Sequence, residues 1–187
     1  MPDIHRADPA RVRAGQRFLF DTNVWLDLYY PSPQPSQPRW SADHAAVFRA
    51  IKQAGAEVVF NVIVLSELVN AVARREFHIF RRQHNIDPRD FKRRFRDTPA
   101  FEAVKRKLRL IQSQILPQVR VVSLPTLKLP AVLEQFDQRD VDVNDAVLAR
   151  CAEAEGCILL TSDADMGKVD TPIEVWTANP RLLSRAN

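Results

Sequence analysis

Only two cysteines, Cys151 and Cys157, occur in the 187-residue chain, and no Cys or His partners stand near them at zinc-site spacing. They read as small apolar residues in or just after a helix. The four histidines, His5, His44, His78 and His84, are scattered and form no ligand pattern. No run approaches the roughly 20 apolar residues of a membrane span, and residues 1–9 lack an apolar core of signal-peptide length. The expectation is a cytoplasmic protein without a membrane partner. Glycine is scarce at four residues, and the first strand-to-helix turn, Phe20-Asp21-Thr22-Asn23, has none. That excludes the glycine-rich turn of a dinucleotide-binding enzyme. With 45% hydrophobic and 27% charged residues, the chain is not disordered and has material for the core of one domain.

What is present centres on Arg17-Phe18-Leu19-Phe20-Asp21-Thr22-Asn23. Phe18 to Phe20 lack the alternation of a strand with one wet face, so they predict a strand covered on both sides. Asp21 then falls at its carboxyl end, where open α/β sheets bind ligands. Val24 to Tyr30 resume a helical pattern, so Asp21 sits on a tight turn. Alone, the position suits a helix cap as well as a functional acid.

The net charge of +4 is unevenly spread. Between Arg74 and Arg109 there are thirteen Lys or Arg against five acids, a local balance of 13 − 5 = +8. Interleaved with Phe77, Phe80, Phe91 and Phe95, such a face suits a phosphate backbone. A solvated helix face, or one meeting an acidic protein, would have the same composition.

In chain order, residues 1–16 read as a loosely ordered lead-in and 17–187 as a single domain with a basic helical region at about 74–117. Four prolines between Pro31 and Pro38 preclude regular structure and predict an exposed loop. Ser41 or Asp43 caps a helix closed by Gly55, and Ala56 to Phe60 form a second buried strand. From Val62 a long amphipathic helix carries Glu67 among Val64, Leu65, Leu68 and Val69, where an acid is costly to bury unless its charge is offset. Asp87-Pro88 and Thr98-Pro99 are helix starts. Residues 118–122 form a third strand, and a short helix follows near Ala131 to Phe136. Asp142 caps the next helix, with Asp145 in its first turn and Gly156 past its end. Cys157 to Thr161 form another buried strand, ending in Ser162-Asp163, and Ile173 to Thr177 an edge strand. The alternation predicts a three-layer α/β/α sandwich on a mostly parallel sheet.

Two buried strands thus end in an aspartate, Asp21 and Asp163, and a doubly wound sheet would set them side by side at its switch point. Glu67 and Asp145 can point to the same crevice. Four close carboxylates repel one another. Mg²⁺ or Mn²⁺, hard cations that take oxygen ligands, would relieve this in a site without His or Cys.

Taken in order, Phe20-Asp21-Thr22-Asn23-Val24, Val64-Leu65-Ser66-Glu67-Leu68, Asn144-Asp145-Ala146-Val147-Leu148-Ala149 and Leu160-Thr161-Ser162-Asp163 resemble the four acidic motifs of PIN-domain ribonucleases, most of all the VapC-like toxins. The resemblance spans about residues 17 to 178. It implies a PIN fold and a metal-dependent endoribonuclease in which Asp21, Glu67, Asp145 and Asp163 hold Mg²⁺ or Mn²⁺. Asn23 matches the family's polar residue after the first acid and would orient ligands or a bound water. The resemblance also implies an RNA substrate, an antitoxin partner and a homodimer. Asp142 and Asp165 compete for the third and fourth positions. Asp145 is preferred because it directly precedes the Ala-Val-Leu-Ala run, and Asp163 because it directly follows the strand. The stretch between Glu67 and Asp145 is longer and more basic than in compact toxins, and the proline loop is also extra.

On this reading the cation activates water against an RNA phosphodiester, and Arg74, Arg75, Arg81 and Arg82 hold the flanking backbone. A haloacid-dehalogenase-type phosphatase would need an acid where Asn23 stands. The alternative of another class is a non-catalytic RNA- or partner-binding module on the same fold.

Overall fold

The computed structural model describes residues 1–31, 40–127 and 129–185. The proline loop expected at 31–38 lies, but for its first residue, outside them. The chain divides into two compact units, where one domain is expected: residues 1–64 with 119–187, and residues 65–118.

The first unit is built on a six-stranded parallel sheet in the order β1-β6-β5-β2-β3-β4. Its strands are β1 (Asp3–Arg6), β2 (Arg17–Phe20), β3 (Glu57–Phe60), β4 (Arg120–Val121), β5 (Ile158–Leu160) and β6 (Glu174–Thr177). With helices on both sides, this is the expected α/β/α sandwich. The two strands that end in the aspartate motifs are direct neighbours, with Phe18, Leu19 and Phe20 opposite Ile158, Leu159 and Leu160. Phe18, Leu19, Phe20, Leu159 and Leu160 are fully buried, as their unbroken apolar runs require. Each such side chain contributes about 1.5–3 kcal/mol over its exposed state. From β2 the chain builds outward to β3 and β4, then crosses back to β5 and β6. The order of strand addition therefore reverses between β2 and β5, and it is outside the carboxyl ends at such a switch point that open α/β sheets form their ligand crevice.

The helices of this unit are α1 (Thr22–Tyr29), α2 (Ser41–Ala54), the first residues of α3 (Val62–His84) and, after α4 (Glu102–Leu110) of the second unit, α5 (Leu129–Arg139), α6 (Val143–Glu155) and α7 (Pro180–Leu183). Asp142 caps α6 by accepting from the Asn144 N–H at 2.8 Å. Gly55 and Gly156 close α2 and α6 at φ 67° and 58°, a conformation that favours glycine. Neither Ser41 nor Asp43 caps α2. Trp40 holds that position without a side-chain bond.

The structure corrects three expectations. The lead-in is not loosely ordered: Asp3 to Arg6 pair with Glu174 to Thr177, and Ile4 is buried. Four residues are too few for periodicity to stand out in sequence. Consequently β6, expected at the edge, is flanked on both sides. The third strand shrinks to Arg120–Val121, beyond which Val122 gives one further bond, N–H to the Phe60 carbonyl at 2.9 Å.

The second unit holds most of α3 and α4 (Glu102–Leu110). Asp87-Pro88 and Thr98-Pro99 both start helical stretches, as expected: a three-residue turn at Pro88–Asp90 runs on through Phe91 into a helical turn at Lys92–Arg96, and one at Pro99–Phe101 runs directly into α4. The phenylalanines interleaved with the basic residues gather around one centre, Phe77 and Phe95 buried, Phe80 and Phe91 half-buried. Phe95 is 2% exposed and meets the rings of Phe77, Phe80, Phe91 and Phe101 at centroid distances of 5.1–5.7 Å. A basic segment this short needs a core of its own, and the rings supply it.

Candidate active site

The site begins where β2 and β5 end. The ladder continues one residue past β2, the Asp21 N–H donating to the Leu160 carbonyl at 3.0 Å. Asp21 is 6% exposed and is the N-cap of α1, its Oδ1 accepting from the Thr22 N–H. The capping role weighed from sequence is therefore real, but it occupies only one of the two oxygens. Oδ2 turns to the neighbouring strand end, accepting from Thr161 Oγ1 and Asn23 Nδ2, each at 2.6 Å. Such donors offset the cost of burying a carboxylate.

Thr161, fully buried, also accepts from the Asp163 N–H at 2.9 Å. The two aspartate motifs are thus linked through one hydroxyl. Asp163 is half-buried, and its Oδ1 accepts from the Asp165 N–H at 2.8 Å. Asn23 Oδ1 accepts from the Ser162 N–H at 3.2 Å, so the Asn23 amide bridges Asp21 and the β5 end.

Asp145 lies half-buried in the first turn of α6, one turn after the exposed cap Asp142. Asp165 is 55% exposed and pairs with Lys168 at 3.0 Å. In the second unit, Glu67 is half-buried on α3 beside the fully buried Leu68. Among the described residues, no three His, Cys, Asp or Glu side chains form a group that could hold one metal ion. What the fold does assemble is Asp21 with Thr161, Asn23 and Ser162. The donors at this crevice are carboxylate, hydroxyl and amide oxygens, the kind that Mg²⁺ and Mn²⁺ take. Burial pushes both Cys151 and Cys157 up to about 11, so neither supplies a thiolate near neutral pH.

Sequence reasoning passed over several polar residues here. Asn61, directly after β3, accepts from the Val64 N–H at 3.1 Å as the cap of α3. Its Nδ2 is buried with no hydrogen-bond partner among the described residues. His44 is fully buried on α2, with Nε2 3.3 Å from Ser162 Oγ and Nδ1 3.0 Å from Asp27 Oδ2. The second approach is at ion-pair distance but out of line for a ring N–H hydrogen bond. The available signal was spacing: His44, Val47 and Ile51 are the buried face of α2.

An acid clasped at the switch point of a parallel sheet defines a doubly wound α/β protein with a polar site at the β2/β5 crevice. The sequence matches the PIN domain over residues 18–172, and the chain belongs to the PIN domain family. No curated protein matches it. Its fold is similar to FitAcB from Neisseria gonorrhoeae, with a TM-score of 0.53 and 16% identity over 85% of this chain and 96% of that one. It is also similar to VapBC2 from Rickettsia felis bound to a DNA fragment from their promoter, with a TM-score of 0.53 and 15% identity over 86% and 99%. FitAB bound to an IR36 DNA fragment matches at a TM-score of 0.53 and 15% identity over 86% and 94%. At such identities the likeness concerns the fold.

Proposed function

We propose that this chain is a metal-dependent endoribonuclease hydrolysing RNA phosphodiester bonds, the toxin of a toxin–antitoxin pair. The observation that carries the reading is Asp21, a buried carboxylate held at the sheet's switch point by Thr161 and Asn23. Membership of the PIN family supports nuclease chemistry. The VapC-like look of the four motifs, with the fold likeness to VapBC2, supports an antitoxin partner. A homodimer acting in the cytoplasm fits the same resemblance. Among the described residues, no helix is long and apolar enough to cross a membrane.

Asp21, Glu67, Asp145 and Asp163 would hold Mg²⁺ or Mn²⁺, which when bound supplies Lewis acidity and positive charge at a phosphodiester. The chain's own part is positioning. Thr161 and Asn23 hold the Asp21 carboxylate in position, and Asn23 would help orient ligands or a bound water. Arg74, Arg75, Arg81 and Arg82 would grip flanking phosphates. A second reading, a non-catalytic RNA- or partner-binding module, is favoured by the lack of an acidic metal cluster among the described residues.

Calorimetric titration of Mn²⁺ into the wild type and Asp21→Asn separates the two. Saturable binding that the substitution abolishes or greatly weakens supports the nuclease. Equal binding by both proteins, or by neither, sinks it in favour of the module. Because Asn also caps helices well, the variant should fold.

A further inference from the structure

A row of polar side chains runs behind the crevice, from Asp27 on α1 through His44 on α2 to Ser162 after β5. His44 is fully buried and Ser162 is 7% exposed, so water does not satisfy their polar atoms. Ser162 is engaged at every polar group: its N–H donates to Asn23 Oδ1 at 3.2 Å, its carbonyl accepts from Asn179 Nδ2 at 2.6 Å, and its hydroxyl lies 3.3 Å from His44 Nε2. Its neighbours in sequence are Thr161, which clasps Asp21, and Asp163. The other end of the array meets α1, the helix that Asp21 caps, at ion-pair distance only, Asp27 Oδ2 lying 3.0 Å from His44 Nδ1.

We infer that Asp27, His44 and Ser162 form a brace, buried at His44 and Ser162 and part-exposed at Asp27, that sets the position of Asp163 relative to Asp21, with His44 a positioning residue for the metal site. The inference rests on the nuclease reading for that site. Besides the Asn23 amide clamp on the Ser162 N–H, two side-chain routes join α1 to the end of β5. One is direct, Asp21 to Thr161, and the other passes behind it through an imidazole touching both elements. Without the ring, Ser162 Oγ would lose its buried neighbour and the peptide leading to Asp163 would keep only its amide clamps. Outer partners of this kind typically change metal affinity about 10- to 100-fold when removed.

The test uses the full chain and Mn²⁺ alone as probe. His44→Ala and Ser162→Ala should each weaken Mn²⁺ binding by about 10-fold or more. The double variant should be no weaker than either single one, since both cut the same link. His44→Gln, whose amide can still reach Ser162, should recover most of the affinity. Urea unfolding of the metal-free proteins should show the same coupling between the two substitutions. Wild-type affinity in His44→Ala and Ser162→Ala, or effects that add independently, would overturn the brace. If the wild type itself binds no Mn²⁺, the nuclease reading and the positioning role fall together. The coupling in metal-free unfolding would persist in that case, so the two failures are told apart.

Discussion

Thr161 Oγ1 donates to Asp21 Oδ2 across 2.6 Å, tying together the ends of two neighbouring strands that are 140 positions apart in sequence. The same oxygen accepts from the Asp163 N–H.

Replacing it tests how far the site depends on that hydroxyl. Thr161→Val keeps the branched shape in a fully buried position but removes one donor to a carboxylate and one acceptor for an amide. The expected loss is about 1–3 kcal/mol in urea unfolding, with weaker Mn²⁺ binding. A variant as stable as the wild type would show that Asn23 and the Thr22 N–H suffice to hold Asp21.

The arginines of the second unit are expected to act on phosphates rather than bases, because its phenylalanine rings pack on Phe95 instead of forming a free stacking face. Changing Arg74, Arg81 and Arg82 to Gln in an Asp21→Asn background, which on the proposed nuclease reading prevents cleavage, should weaken RNA binding similarly for different sequences. The log–log salt slope should fall by about 0.7 for each phosphate of single-stranded RNA that is no longer neutralised. Fluorescence anisotropy from 50 to 300 mM KCl, roughly the range over which such charges are screened, measures this. An unchanged slope would remove these residues from the interface.

Cys151 and Cys157 contribute to the alkaline pH dependence, with Tyr30, which burial pushes up to about 12. Burial raises both thiols from 9.0 to about 11, so folding favours their protonated form. The stability this confers is fully present below pH 9 and is lost as pH rises through 11. Unfolding midpoints should therefore decline over that window, less steeply when both are replaced by Ala. At pH 8 a disulfide reagent should label them slowly in the folded protein and at once in urea.

The sheet was legible because its central strands are covered on both faces: Phe18 to Phe20 and Ile158 to Leu160 cannot be read as anything exposed, and their pairing followed from topology. Asp21 was legible for the same reason, as an acid that abruptly ends an apolar run. The outer strand β1 was not, since Asp3 to Arg6 show only one buried apolar residue and are recruited by pairing with β6. The polar partners were least legible. Thr161 and Ser162 were noticed as a hydroxyl pair, but which atom each would hold depends on register. His44 counted as a stray histidine until α2 placed it between Asp27 and Ser162.

The ring cluster around Phe95 has a consequence for how this protein can change over generations. Because the second unit is knit from within, Arg89, Arg93 and Arg94, which are 90%, 77% and 58% exposed, contribute little to its stability beyond surface ion pairs. Each can be exchanged without loosening the aromatic centre. Selection can therefore rewrite the outer charge of this unit residue by residue while the strand ends that carry Asp21 and Thr161 stay as they are.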